Sequence, residues 1–370
     1  MENGKITDDR RITETLPTIR YILENGGKLM ICSHLGRPKS KDDKKFSLEP
    51  VAKHLSELLN YEVILFEEPS SEALKLIMQT LRPKQVVMLE NIRFEPGETE
   101  DALDLAQQLA SNTEIYINDA FGASHRAHAS IHALPQLVKL KGVGFLIEKE
   151  IRMLDQLLDS PKRPYWAILG GAKVSDKIDV IEKLIDLVDG FVIGGAMAYT
   201  FLKAIGEPVG RSLVEGDKVR YAKELLERIE ARHKSVLLPV DHKVASSLND
   251  TASQTQIVTR IPEDKMGLDI GPESLKRFTQ ALATAKTIFW NGPMGVFEKE
   301  TFARGTFGIA QALADNDGVK IVGGGDSAAA ADASGLAEKM THISTGGGAS
   351  LEYLQGAKLP GLEVLRVKIR

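Results

Sequence analysis

Short apolar runs alternate with amphipathic stretches along nearly the whole chain. In the first half the runs are KLMICSH, EVILF, QVVMLEN and EIYIND. Between them lie SLEPVAKHLSELL, SEALKLIMQTL and DALDLAQQLA, whose apolar residues recur at three- and four-residue steps, the period of a helix with one buried face. In the second half YWAILGG, GFVIGG, SVLLPVD, TIFWNG and VKIVGGG follow the same grammar. Each run is almost continuously apolar, which predicts strands covered on both faces, as in a parallel sheet flanked by helices. Strand–helix alternation of this kind builds right-handed βαβ units. The predicted fold class is α/β with doubly wound parallel sheets.

At 370 residues the chain exceeds what one hydrophobic core ordinarily serves, so two domains are expected. The boundary falls at LIEKEIRMLDQLLDS (Leu146 to Ser160), a long amphipathic helix that Pro161 and Pro164 stop before the next strand. This gives a first domain over 1–150 and a second over 151–349, with the helix as connector. GRPKSKDDKKF is charged and poor in apolar residues, and reads as an exposed loop.

The composition is that of a globular protein, 43% hydrophobic and 26% charged. A net charge of -4 argues against a nucleic-acid partner while leaving room for a local basic pocket. No apolar signal core opens the chain, and the longest apolar run, FVIGGAMAYTFL, is too short to span a bilayer. A single cysteine, Cys32, suits a reducing compartment. The expectation is a cytoplasmic monomer acting on small molecules, with no membrane.

In open α/β sheets ligands gather beyond the C-terminal ends of strands. In the first half those ends are basic: His34 and Arg37 follow KLMICSH, Arg93 follows VVMLEN, and His125, Arg126 and His128 follow IYINDAFG, while Arg10 and Arg11 follow the opening turn. Guanidinium forks from separate segments suit phosphate and carboxylate. Without an HExxH or a cysteine cluster, a metal at His125 and His128 is disfavoured. In the second half the strand ends are Gly-rich. AILGGAKVSDK presents Lys173 and Lys177, four apart as on a helix. IVGGGDSAAAAD sets Gly324 and Gly325 before Asp326 and Ser327, which open an Ala-rich helix. Glycines admit close backbone approach, and a helix start offers free N–H groups to an anion. Asp326 could hold Mg²⁺, which sits on one or two carboxylates plus phosphate oxygens; an N-cap is the plainer alternative. HISTGGGASLE adds Gly346, Gly347 and Gly348 before another helix, and WNGPMGVFE adds a tight turn and Glu298, a carboxylate fit to accept ribose hydroxyls. Neither GxGxxG nor the P-loop pattern occurs.

At SHLGRP, LEN-RF, NDAFG-HRAH, GGAKVSDK, WNGPMGVFE and GGGDSAAA…HISTGGGASLE the sequence closely resembles phosphoglycerate kinase, with these segments in family order. The resemblance implies two domains facing a cleft and joined by a hinge helix. The first would bind 3-phosphoglycerate or 1,3-bisphosphoglycerate and the second Mg-ATP or Mg-ADP. Arg11, His34, Arg37, Arg93 and Arg126 match the family's triose-phosphate positions. Lys173 and Lys177 match its nucleotide-phosphate lysines. Gly194 and Gly195 match its adenine side, Asn291 its phosphates, Glu298 its ribose contact and Asp326 its Mg²⁺ ligand. Residues from about 350 to 370 are expected to return to the first domain. Arg11 and Lys177 are the expected catalytic cations. No general base is needed, because the nucleophile towards ATP is a carboxylate with a pKa near ~3.5.

The family carries a strand of the form Arg-Val-Asp-x-Asn-Val-Pro before its opening turn. Here only Met1 and Glu2 precede the Asn3-Gly4 turn signal, and no copy of the motif lies at the other end. Loss of such a strand would remove three or four buried side chains, roughly 5–12 kcal/mol of burial, against a domain stability of about 5–15 kcal/mol. Two readings stand at this point: an active kinase whose start lies upstream, or a non-catalytic chain that still binds Mg-nucleotide. The surviving cations favour the first. A dinucleotide oxidoreductase is disfavoured by Gly-Gly-Gly-Asp in place of its fingerprint.

Overall fold

The structure is a computed structural model that describes residues 4–69 and 73–366. Asn3 of the opening turn lies outside the described residues; Gly4 has the positive φ, 75°, that such a turn uses. The chain divides into two compact units, 1–151 with 358–370, and 152–357. The connector helix runs Phe145–Leu158.

Among the described residues the first unit contains five strands: β1 (Leu29–Ile31), β2 (Glu62–Phe66), β3 (Gln85–Leu89), β4 (Ile115–Asn118) and β5 (Leu140–Val143). Every pair is parallel, as the apolar runs predict. They form two sheets rather than one, β1-β3-β2 and β4-β5. Apolar runs specify strands but not their neighbours, so this division had no signature in the sequence. Helices Glu49–Leu59, Ala73–Thr80 and Leu103–Ala110 fall on the three amphipathic stretches. The core gathers Val87 and Leu89 of β3, Leu105 and Leu109 of the last helix, and Tyr116 of β4. The small sheet keeps much apolar surface in water: Ile115 is 59% exposed and its cross-strand partner Leu140 57%.

The second unit holds β6 (Tyr165–Leu169), β7 (Gly190–Ile193), β8 (Ser235–Leu237), β12 (Thr287–Asn291), β13 (Val319–Val322) and β14 (His342–Ile343) in one parallel sheet. A smaller antiparallel sheet, β9 (His242–Ala245), β10 (Gln256–Val258) and β11 (Met266–Ile270), was not foreseen from the apolar pattern. Order in the large sheet is β14-β13-β12-β6-β7-β8. Consecutive strands therefore run outward in one direction from β6 and in the other from β12. The C-terminal ends of β6 and β12 flank the point where the order reverses, the place where ligands bind in open α/β sheets. All five residues of β12 are buried, with Trp290 and Phe289 at the centre.

Two expectations need correction. Residues 350–357 belong to the second unit: the helix Gly348–Leu354 packs on the helix Ile178–Leu184, and Tyr353 Oη donates to Asp155 at 2.7 Å. Only the segment from Lys358 returns to the first unit. There Gly361 N donates to Ser124 O at 2.9 Å, and Asn118 Nδ2 donates to Gly361 O at 3.2 Å. Lys173 and Lys177 do not share a helix. They lie in an irregular loop, and the helix begins only at Ile178. Glu215 holds that loop in shape, accepting from Ser175 N at 3.0 Å and from Ser175 Oγ at 2.5 Å.

Candidate active site

In the first unit three strands deliver cations. β1 leads to His34, β3 to a short 3₁₀ turn, Ile92–Phe94, carrying Arg93, and β4 to His125 and Arg126. Asn91, fully buried, organises the approach: its Nδ2 donates to Leu35 O at 2.8 Å and Phe46 O at 2.9 Å. These bonds pin the charged loop that bears Arg37. Arg93 Nη1 donates to Gly36 O at 2.6 Å, whereas Arg93 Nη2 is buried and meets no acceptor among the described residues. A buried guanidinium donor without a partner is costly, and an anionic ligand would satisfy it. Arg126 Nε lies 3.2 Å from His125 Nε2.

The groups sense one another. Desolvation, then the charges of Arg93, Arg126, His128 and Arg11, push the His34 imidazole down to about 3. His34 is exposed, so the three arginine charges are the firmer part of that cause. Burial, then Arg126, lowers Arg93, with Arg37 adding to the effect and Glu98 opposing it. His128 is lowered by burial and by the same two arginines. Arg11, His34, Arg37, Arg93 and Arg126 thus lie within one field of positive charge, although Arg11 and Arg37 are themselves exposed. Such a field attracts multiply charged anions. Sequence reasoning missed the role of Asn91, which sat inside a quoted motif, and all of Glu98, which looked like one charge in an acidic loop.

In the second unit the site is mostly backbone. Gly170 N donates to Asn291 O at 3.0 Å, Gly171 N to Pro293 O at 3.0 Å, and Gly195 N to Met294 O at 3.1 Å. The turns after β6, β7 and β12 are so close that a Cβ on Gly195 would lie 2.5 Å from Gly171 N, and one on Gly194 2.3 Å from Met294 Sδ. Gly195 also has φ +65°, a region other residues avoid. Asn291 links this floor to the lysine loop: Lys177 Nζ donates to its Oδ1, and its Nδ2 donates to Gly323 O at 2.6 Å. Ser327 Oγ accepts from Gly292 N at 2.6 Å. Lys177, Asn291, Gly323, Gly292 and Ser327 therefore form one connected set. Burial lowers the Lys177 ammonium, opposed by the charges of Asp176 and Asp326, which places Asp326 within electrostatic reach of Lys177.

The Ala-rich helix runs Gly325–Ala333, with Gly324 before it at φ +91°. Asp326 in its first turn is exposed, as are Lys173 and Glu298. The N-cap is Gly324, which has no side chain to cap the helix, and Asp326 is the acidic residue of the first turn. Among the described residues no group of three or more His, Cys, Asp or Glu is arranged to hold a metal, and no helix is long and apolar enough to cross a membrane.

The sequence model of phosphoglycerate kinase matches residues 1–357. A phosphoglycerate kinase of Bdellovibrio bacteriovorus is 67% identical over 371 residues, spanning 100% of this chain and 92% of that protein. The chain belongs to the phosphoglycerate kinase family. One from Anaeromyxobacter is 52% identical over 98% of this chain and 93% of its own. Among solved structures, phosphoglycerate kinase from Coxiella burnetii aligns with a TM-score of 0.87 at 40% identity, covering 99% of this chain and 92% of that one. The enzyme from Pyrococcus horikoshii aligns at 0.86 and 33%, covering 99% and 93%. The chain is thus a phosphotransferase of glycolysis, catalysing reversible phosphoryl transfer between 1,3-bisphosphoglycerate and ADP to give 3-phosphoglycerate and ATP. Nothing in these relationships favours a non-catalytic nucleotide binder.

Proposed function

We propose that the two sites divide the reactants between them. In this reading Arg11, His34, Arg37, Arg93 and Arg126 hold the triose phosphate, and the unpartnered Arg93 Nη2 is the observation that carries it. The glycine floor, with Gly194, Gly195, Gly324 and Gly325, receives the nucleotide. Lys173 and Lys177 face its phosphates, Asn291 and Ser327 fix their approach, and Glu298 accepts the ribose hydroxyls. Asp326 would hold Mg²⁺, which supplies charge neutralisation on the nucleotide phosphates.

The chemistry asks little covalently of the protein. A carboxylate attacks the terminal phosphorus of ATP, the bond to the ADP oxygen breaks, and an acyl phosphate forms; the reverse reaction retraces these steps. What remains is to hold the reactants in line and to stabilise charge on the transferred group. Lys177 is placed for the second task. Burial weakens its hold on its proton, and its present partner is the neutral Asn291 amide, so it can turn to a developing phosphoryl charge without breaking an ion pair. Arg11 is its counterpart from the first unit. Since the cations are divided between units, transfer requires both sets to act on one phosphoryl group, away from water that would hydrolyse the acyl phosphate. The enzyme is expected to work as a monomer in the cytoplasm.

Two variants test this division. Lys177→Ala should lower kcat about 10²–10³-fold with KM for ATP changed no more than about threefold. Arg126→Ala should chiefly raise KM for 3-phosphoglycerate. Equal losses in kcat and nucleotide affinity for Lys177→Ala would remove its transition-state role.

A further inference from the structure

Glu98 sits among the cations of the first unit. It is 2% exposed. Its Oε2 accepts from Ser130 N at 2.9 Å and its Oε1 from Ser130 Oγ at 2.7 Å. Its own carbonyl accepts from Ala129 N at 2.9 Å, and His128 Nδ1 lies 3.7 Å from Oε1. Three residues on, Asp101 adopts a left-handed φ of 55°. It accepts from Ala133 N at 3.1 Å and meets His132 Nδ1 at 2.6 Å. The segment that continues from Arg93 therefore grips both ends of Ala129–Ala133, a π-helical turn that directly follows Arg126 and His128. Such turns are rare and concentrate at functional sites.

We infer that Glu98 is a positioning residue for the triose-phosphate site, fixing Arg93 and Arg126 at their working separation against their mutual repulsion. A buried carboxylate has nothing to offer an anionic substrate directly, so it acts through the cations. Its attachments support that role twice over. Mechanically, it ties the β3 segment carrying Arg93 to the β4 segment carrying Arg126. Electrostatically, it opposes the lowering of Arg93 caused by burial and Arg126. Burial pushes the Glu98 carboxyl up, while the two Ser130 bonds and the charge of Arg93 pull it back towards the carboxylate; a residue serving packing alone would need none of these partners. The inference rests on the reading that this cluster binds the triose phosphate.

Steady-state kinetics of Glu98→Gln, Arg126→Ala and the double variant decide it. Glu98→Gln keeps the volume and removes the charge, and its amide nitrogen can only donate to Ser130 Oγ where the carboxylate accepted. It should raise KM for 3-phosphoglycerate about tenfold, leaving KM for ATP within about twofold. In the Arg126→Ala background the same change should cost less than about threefold, because residues acting as a unit are non-additive. An unchanged KM for 3-phosphoglycerate, an equal rise in KM for ATP, or full additivity would overturn the inference. If Arg126→Ala alone leaves KM for 3-phosphoglycerate unchanged, the assignment of the cluster to the triose phosphate fails instead. Should Glu98→Gln not fold, Ser130→Ala decides: about a threefold rise in KM for 3-phosphoglycerate with KM for ATP unchanged supports the tether, and no change refutes it.

Discussion

In the proposed reading the two units meet anions in different ways. The first uses side chains: long arginines and a histidine converge, and buried Asn91 and Glu98 hold the segments that carry Arg37, Arg93 and Arg126. The second uses backbone: glycine turns packed to within a missing Cβ of one another, with Lys177 tied in through Asn291. Their sheets differ in parallel. Among the described residues the second unit gathers six parallel strands in one sheet with β6 and β12 at its centre, beside a small antiparallel sheet of three, whereas the first unit's five parallel strands divide three and two. A backbone site needs a rigid platform, because its donors cannot adjust without moving the chain. A side-chain site tolerates a looser one, since rotamers absorb small shifts.

The largest effect expected from this contrast comes from adding a single methyl group to the second unit. Gly195→Ala would force a Cβ to within 2.5 Å of Gly171 N and 2.6 Å of Gly171 O at a positive φ. The cost should be about 2–4 kcal/mol, with nucleotide affinity lost in proportion. Gly171 also has positive φ, but a Cβ there meets nothing within 4 Å, so Gly171→Ala should cost only the backbone strain, about 1–2 kcal/mol. Both tryptophans, Trp166 and Trp290, lie in this unit, so urea unfolding followed by their fluorescence measures it directly. Equal stability for the two variants would break the comparison.

How much of this was legible in the sequence follows the same divide. The backbone site announces itself, because glycine after a buried strand has few other uses and three such turns cluster at one switch point. The cations of the first unit were visible as residue types at strand ends. What held them was not: Glu98 lies in EPGETED, where nothing distinguishes a buried carboxylate from a solvated one. The helical spacing of Lys173 and Lys177 misled because Glu215, 40 positions beyond Ser175, takes the N–H that a helix would have used. Sheet pairing in the first unit was equally hidden, since strand order is a property of tertiary packing.

The sheet contrast predicts a gradient of local stability. Amides of β4 and β5, in a two-stranded sheet with Ile115, Leu140 and Val143 in water, should exchange through openings at least about 2 kcal/mol easier than those of β6 and β12. Native-state hydrogen exchange read by mass spectrometry would show this. Matching protection in the two pairs would mean that the division of the first sheet carries no energetic penalty.

The last contrast concerns pH, where the units should respond with opposite sign. Asp269 in β11 is 1% exposed, and burial raises its carboxyl to about 7, although Gly305 N at 2.8 Å and Ile270 N at 2.9 Å donate to it. Between its ordinary 3.8 and about 7 the folded state keeps a proton that the unfolded state releases. Its contribution to stability therefore falls as pH rises through that window, by at most about 1.4 kcal/mol per pH unit. Asp269→Asn should remove that slope from the tryptophan-detected unfolding of the second unit, and an unchanged slope would show that Asp269 is already ionised. His34 works the other way. Its folded pKa of about 3 lies below the ordinary 6.5, so the unfolded state binds the extra proton and stability is lost as pH falls from 6.5 towards 3. Because the ring is exposed, solvent screens the charges that depress it, and the effect should stay below about 0.5 kcal/mol. The sharper sign of His34 is chemical: an anion bound among Arg93, Arg126 and Arg11 offsets the field that keeps it neutral, so 3-phosphoglycerate should raise its pKa in an NMR titration. A His34 shift unmoved by the ligand would place the anion elsewhere.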